Sequence, residues 1–598
     1  MVATRGDDIK VVFKNAPYRR REFFSVQRQG AVPMEPRVLI ADWDDTKQRV
    51  TVSGACKVPY TNRRALAAMM NLPEMSVRQL EYDVGGGFGA RGEFYPEDYL
   101  IPFAAKVVGR PVKWVEDRRE NLMTLSHARD AACDLEIACT RDGTILALRG
   151  EAFADIGAYM RTNGATASRN ISQIMSGPYR IPHVRMDVSL IVTNKTPSGT
   201  YRGPGRFEAD FCRERLFDLV AADLGIDPVE FRRRNLIAES EMPYQLATVQ
   251  VLNIKAECDS GNYHTTLDRC LAEFKWPERE KLQGKLIDDR YHGIAIGCYL
   301  EGGGTGPKEN AKLVIEPKGS IAVYVGSSSV GQGVETVFSQ IAADALEVPM
   351  ERIRQVYKGS TDYLAEGFGS FSSRSIVMGG NAIVNAANSL RDQIRVAAAE
   401  RLKCAINEIG FDRGMAVGPN RAAIDLKEFS GLSADGSHAS NKRTYSYGAH
   451  AAYVSVDPRT GQVELIDYVA VEDVGRIVNP LTLHGQCVGA VVQGLGGALL
   501  EHFIYDENGQ FLTGSLADYL LPTASDFPNI RAVALEEKPS PINPMGFKGA
   551  GEGGIIPVGG VVANAVAAAL GSLGVKLYEL PLSPPRVWQL IQAARLAR

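Results

Sequence analysis

Near the end of this 598-residue chain one carboxylate stands among glycines, in Gly549-Ala550-Gly551-Glu552-Gly553-Gly554. Glycine admits backbone angles that other residues avoid and lets a bulky group approach the main chain. A carboxylate placed there can point straight at a ligand. Alone, the stretch reads equally well as a Gly-rich surface turn with a solvated Glu. Residues 85–91 (GGGFGAR) follow a predicted strand at 79–84 and formally match a dinucleotide-binding GxGxxA. The match is poor in context, because Glu116 comes too late for the ribose acid and Pro96 interrupts the helix such a site needs, and a Rossmann-type dehydrogenase is the weaker alternative. A Gly-rich loop that turns backbone N–H groups toward another ligand fits better. Residues 200–206 (TYRGPGR) bring two arginines into a loop of small residues.

Two more loops stand at predicted helix starts. Gly331-Gln332-Gly333 opens an amphipathic helix over 334–346, and residues 369–375 (GSFSSRS) open a long helix that ends near Leu402. Helix N-termini carry unpaired N–H groups and the positive end of the dipole, so this pair reads as a cradle for a phosphate-bearing cofactor. Ordinary Ser/Gly capping is the plainer alternative for either loop alone. The apolar segment 485–496 is dotted with glycine and contains Gln486 and Gln493. A buried Gln there braces a loop or binds a ligand.

The elements that must position these loops alternate. Strand, loop and helix repeat through residue 115, strands and turns fill 133–200, and a strong helix covers 207–224. The pattern predicts an α+β fold of mixed sheets with flanking helices, in two halves. The expected division is a first domain at 1–240, a linker at 241–285 and a second domain at 286–598. Arg232-Arg233-Arg234-Asn235 reads as a solvated or salt-bridged helix end.

Composition narrows the class. Apolar residues make up 45% and charged residues 23%, which suits large folded cores. A net charge of −3 gives no general pull toward nucleic acid or anionic membrane. Nine cysteines lack CxxC spacing, as expected for reduced, cytoplasmic thiols, and show no zinc or iron–sulfur ligand set. The N-terminal residues read as carrying no export signal, since no apolar stretch follows their basic residues. The uncharged run 553–575 reads as a buried loop and helix, because Pro557 and its glycines disfavour a membrane span.

In their order and spacing, the loops at 85–91, 200–206, 331–336, 369–375, 485–496 and 546–554 resemble the molybdopterin-binding large subunit of the molybdenum hydroxylases, the xanthine oxidase, aldehyde oxidase and carbon monoxide dehydrogenase family. The resemblance runs from about residue 6 to the C-terminus. It implies a molybdenum–molybdopterin cofactor in the cytosine dinucleotide form, with the metal held through the pterin and by no side chain. It implies hydroxylation of a substrate carbon with water as oxygen source, and Glu552 as the base. Gly87, Phe88, Gly89 and Arg202 would lie around the metal, with Gly549 and Gly551 beside Glu552. Gly331, Gln332, Gly333, Gln340, Ser370, Ser372, Ser373 and Gln493 would hold the pterin and its nucleotide.

The departures point to the substrate. Lys57 stands where the family often has a Gln, so a lysine faces the metal or turns away. Gly92 replaces the second glutamate of purine oxidases, and Pro204 their stacking phenylalanine. Gly203 replaces the copper-binding cysteine of carbon monoxide dehydrogenases. These changes argue against xanthine and CO and leave aldehydes and N-heteroaromatics. The resemblance further implies Fe–S and FAD partner subunits in a dimer of heterotrimers. A small separate subunit would supply an N-terminal α/β domain that the sequence lacks. A catalytically impaired or truncated cofactor-binding subunit with a structural role is the other reading.

Overall fold

The computed structural model describes residues 1–250 and 252–597. Its main core joins two sheets through two helices. The first sheet orders Thr248–Val249, Val2–Arg5, His183–Val192, Ile145–Gly157, His127–Cys139 and Tyr18–Gly30. The second orders Leu286–Ile287, Arg290–Gly303, Thr444–Val456, Val463–Asp473 and Arg531–Leu535. Helix Arg206–Leu224 packs on the first sheet and helix Val558–Ala569 on the second, and the two helices pack on each other. One apolar cluster runs through all of these layers. The Thr444–Val456 strand is buried along almost its whole length, as expected for a strand at the centre of a covered sheet.

Two smaller α/β units carry the remaining loops. Strands Ile353–Lys358, Ile321–Val325, Lys308–Ile315 and Ser433–Ala439 form a sheet backed by helices Val334–Leu346 and Asn381–Leu402. Strands Val77–Leu80, Arg49–Gly54, Val38–Asp44 and Val112–Val115 form another with helices Pro59–Met70 and Pro96–Val108. The architecture is thus the mixed α/β arrangement expected.

Several elements differ from expectation for local reasons. The 79–84 strand lies at Val77–Leu80, which leaves residues 81–89 free to form a loop. Helix Pro59–Met70 starts at a proline, whose fixed φ suits the first helical turn. A π-helical turn, Ser375–Gly380, precedes the long Asn381–Leu402 helix. Residues 241–285 contain helix Tyr263–Phe274, which packs on Thr444–Val456 and Val463–Asp473. The uncharged run 553–575 folds into the buried helix Val558–Ala569, and no helix among the described residues is long and apolar enough to cross a membrane.

Helix Arg206–Leu224 is buried on nearly every side although charged residues recur along it. Most of its buried charges are paired inside. Arg213 pairs with Asp210 and Glu214, and Arg129 with Glu208 at 3.1 Å. Arg232, 0% exposed, reaches Glu214 and Asp218, each at 2.7 Å. Removing one partner of such a pair leaves an uncompensated buried charge. The helix is therefore locked in rotation and depth, and its first residue, Arg206, is delivered to a fixed point.

Helix Val558–Ala569 is seated through a glycine. A Cβ at Gly293 would lie 2.2 Å from the Ala565 carbonyl oxygen and 2.4 Å from the Ala569 nitrogen. The strand and helix backbones approach too closely for any side chain. Gly293→Val should therefore push the helix off the sheet and lower stability by about 1–3 kcal/mol or more. A fall in the thermal unfolding midpoint checks this, and an unchanged midpoint contradicts it.

Candidate active site

The predicted loops converge on one cavity of about 610 Å³. Its wall includes Gly87, Phe88 and Gly89, Arg202, Gly331 and Gln332, Ser370, Ser372 and Ser373, Gly551 and Glu552, and Lys57. The loops are tied to each other by their own backbones. The Arg202 N–H donates to the Phe88 carbonyl at 2.9 Å. A Cβ on Gly89 would lie 2.5 Å from the Thr200 carbonyl oxygen, and the residue's φ is +113°, so only glycine lets these two loops meet. Ser370 Oγ donates to the Ser328 carbonyl at 2.6 Å and accepts from the Ser328 N–H at 3.1 Å, joining the two loops at the helix starts. Glu309 and Arg374, paired at 2.8 Å and fully buried, set the second of these loops from behind.

Arg202 is the staple of the site. Its Nε donates to the Gly551 carbonyl at 2.6 Å, Nη1 to Gln493 Oε1 at 3.0 Å, and Nη2 to the Gln486 carbonyl at 2.8 Å. It therefore binds the Glu552 loop to helix Pro480–Leu499. Gln493 and Gln340 stand behind the cavity wall. Gln493 acts on it through Arg202, and Gln340 accepts from Asn479 Nδ2 at 3.0 Å, a residue of the wall. Gly333 caps helix Val334–Leu346, and Gly549 accepts from Ser446 Oγ at 2.6 Å. Pro204 also lies off the wall, its carbonyl taking the Asn170 amide at 2.8 Å.

Glu552 turns its carboxylate toward the start of helix Arg206–Leu224. Oε2 pairs with Arg206 Nη2 at 2.9 Å, and Oε1 accepts from the Gly203 N–H at 3.3 Å. Its side chain keeps 16% exposure. Burial alone would raise its pKa. Arg206, the Gly203 N–H, Lys57 and Arg202 outweigh burial and hold the carboxyl below its ordinary range. Glu301 is the opposite case. Burial, then the Glu552 charge, pushes it up to about 8. It receives Ser373 Oγ at 2.5 Å and Ser446 Oγ at 3.3 Å. Two neighbouring carboxyls are thereby split into an ionised carboxylate and a neutral acid.

Lys57 turns into the cavity. Its side chain crosses the face of Gly92, where a Cβ would lie 2.0 Å from Lys57 Cε. Burial lowers its pKa, with Glu552 and Glu93 acting against that. Sequence reading passed over Arg206 and Glu301. The arginine-rich 200–206 loop hinted at the first, and nothing local marked the second.

The cavity suits a bulky anionic group. Lys57, Arg202, Arg476 and Lys548 line it against one carboxylate, Glu552, while Arg374 is neutralised by Glu309 behind the wall. Phe88, Ser372 and Ser373 on its wall hold left-handed backbones, with φ of 48°, 48° and 49°. Such strain in non-glycine residues gathers at ligand sites.

Two models described as a molybdopterin cofactor-binding domain match residues 1–236 and 269–528. The gamma subunit of the 6-hydroxypseudooxynicotine dehydrogenase complex of Paenarthrobacter nicotinovorans is 36% identical, over 99% of this chain and 76% of its own. The chain belongs to the xanthine oxidase family of molybdenum hydroxylases. The large chain of carbon monoxide dehydrogenase from Hydrogenophaga pseudoflava is 32% identical over 98% of this chain and 76% of its own. The solved quinoline 2-oxidoreductase of Pseudomonas putida 86 superposes with a TM-score of 0.93 at 31% identity, covering 99% of this chain and 78% of that one. The chain is accordingly a molybdenum-cofactor-binding large subunit and an enzyme of this family.

The Glu301 carboxyl gives a pH test. Its folded pKa of about 8 exceeds the ordinary 4.5, so the folded state holds a proton that the unfolded state has released between those values. Stability must then fall as pH rises from about 4.5 to about 8, by on the order of a few kcal/mol at most. Glu301→Gln removes that slope. Denaturant midpoints at pH 5 and pH 8 should lie closer together in the variant than in the wild type, and an equal spread contradicts the assignment.

Proposed function

We propose that this chain hydroxylates the ring carbon of an N-heteroaromatic, or an aldehyde carbon, with water as the oxygen source, and passes the electrons to separate Fe–S and FAD subunits. The observation that carries the reading is Glu552, kept ionised on the wall of an otherwise cationic cavity. The residues fit the family's cofactor. Gly87, Phe88, Gly89 and Arg202 would surround its metal end. Gly331, Gln332, Ser370, Ser372 and Ser373 would hold the pterin and its phosphates at the two helix starts, in the cytosine dinucleotide form. When bound, the molybdenum–pterin group supplies the two-electron redox chemistry.

The chain's own residues do the rest. Glu552 takes the proton from the attacking water, and Arg206 with the Gly203 N–H keeps its carboxylate aimed and ionised before that transfer. Glu301, neutral beside it, avoids a second negative charge. Arg202 fixes the loop so that the base cannot swing. The names of the nicotine-derivative and quinoline relatives favour a heteroaromatic ring. The subunit designation of the gamma relative favours a multi-subunit assembly, for which a dimer of heterotrimers is our reading. All nine cysteines are free thiols, which suits the reducing cytoplasm.

Glu552→Gln should cut turnover by about 10²–10⁴-fold, the usual worth of a positioned base. Molybdenum and nucleotide content of the purified complex should stay at the wild-type level. Turnover at the wild-type rate in this variant removes Glu552 from the reaction.

A further inference from the structure

Lys57 is only 8% exposed, yet its ammonium makes no hydrogen bond and no ion pair with any described residue. Buried charges are ordinarily paired. Its position is built rather than accidental. The Lys57 N–H donates to the Arg91 carbonyl at 3.4 Å, and its carbonyl accepts from the Ser370 N–H at 2.9 Å. The side chain then lies over Gly92, the one residue type that leaves room for it, because a Cβ there would sit 2.7 Å from Nζ. The ammonium so held lines the cavity together with Glu552.

The surroundings carry a cationic surplus. Arg206 spends its charge on Glu552, and Arg202 is satisfied by carbonyl and amide oxygens only. Arg169 and Arg443 stand beside Arg206 with no carboxylate partner, and the Arg169 Nε is buried without an acceptor. The carboxyls that could offset this charge do not reach it. Glu301 is bound by two serines, and Glu93 is held by the Asn163 N–H at 3.1 Å. A negative oxygen that enters the cavity beside Glu552 meets Lys57 as its free donor.

We propose that Lys57 anchors the substrate, and that the substrate bears an anionic oxygen, a carboxylate or an ionised ring hydroxyl, near the carbon that is hydroxylated. This rests on the reading of the cavity as the reacting site. Lys57 fixes the ring by a charge-assisted hydrogen bond, whose geometry is more directional than packing against a flat apolar wall. The bond orients the reacting carbon toward Glu552 and selects against neutral analogues. Gly92 is part of the same device, since any larger residue there displaces the lysine.

The test uses the purified, cofactor-loaded complex and two non-reactive probes of equal shape, benzoate and benzamide, titrated by calorimetry. Wild type should bind benzoate about tenfold or more tightly than benzamide, the usual worth of a hydrogen bond to a charged group. Lys57→Met should abolish the preference and Lys57→Arg should retain it, with molybdenum content unchanged in both. Equal binding of the two probes by wild type, or a preference that survives Lys57→Met, overturns the proposal. Loss of molybdenum in Lys57→Met also overturns it, because the lysine then holds the cofactor. A failure of the underlying functional reading shows elsewhere, as wild-type turnover in Glu552→Gln, and leaves the benzoate preference untouched.

Discussion

The site depends on the ion pair between Arg206 and Glu552, which joins residues 346 positions apart. A carboxylate this enclosed would ordinarily take up a proton. Arg206 prevents that, and it can do so because helix Arg206–Leu224 cannot turn or slide. The buried pairs of Arg213, Arg232, Glu208 and Glu214 hold the helix, and Arg206 itself donates to the Gly302 carbonyl at 2.9 Å. Buried ion pairs contribute little net stability. Here their consequence is position, and the charge state of Glu552 follows from it.

Much of this was legible in the chain. Helix Val334–Leu346 matches its predicted span, because its apolar residues keep strict helical spacing up to a left-handed cap at Glu347. The Gly- and Ser-rich loops were legible because each needs residues that tolerate unusual backbone or offer a hydroxyl. The division of labour between carboxyls was not. Glu301 lies in an ordinary-looking strand, and only the fold brings it to Glu552. Arg232 looked like part of a helix end and is fully buried, since the partners that neutralise it, Glu214 and Asp218, belong to another helix. The direction of Lys57 was open in the sequence, and the clearance over Gly92 decides it.

Position 57 and position 92 also show why departures from a family pattern should be read together. A lysine alone would suggest a damaged site, and a glycine alone a lost contact. In the fold they are one feature, a long cationic side chain and the space it occupies. The same logic applies to Arg202, whose guanidinium reaches four acceptors on two separate segments, Gly551 and the helix that carries Gln486 and Gln493. Such residues convert distant stretches of chain into one rigid wall.

The central claim is that Arg206 sets the charge state of Glu552. The most direct measurement is the acid limb of the pH dependence of kcat/KM, which reports the ionisation of the free enzyme's base, compared between wild type and Arg206→Met at equal molybdenum content. The account predicts that the limb moves to higher pH in the variant, because the carboxyl keeps its burial and loses its strongest stabilising charge. A limb that stays in place contradicts it.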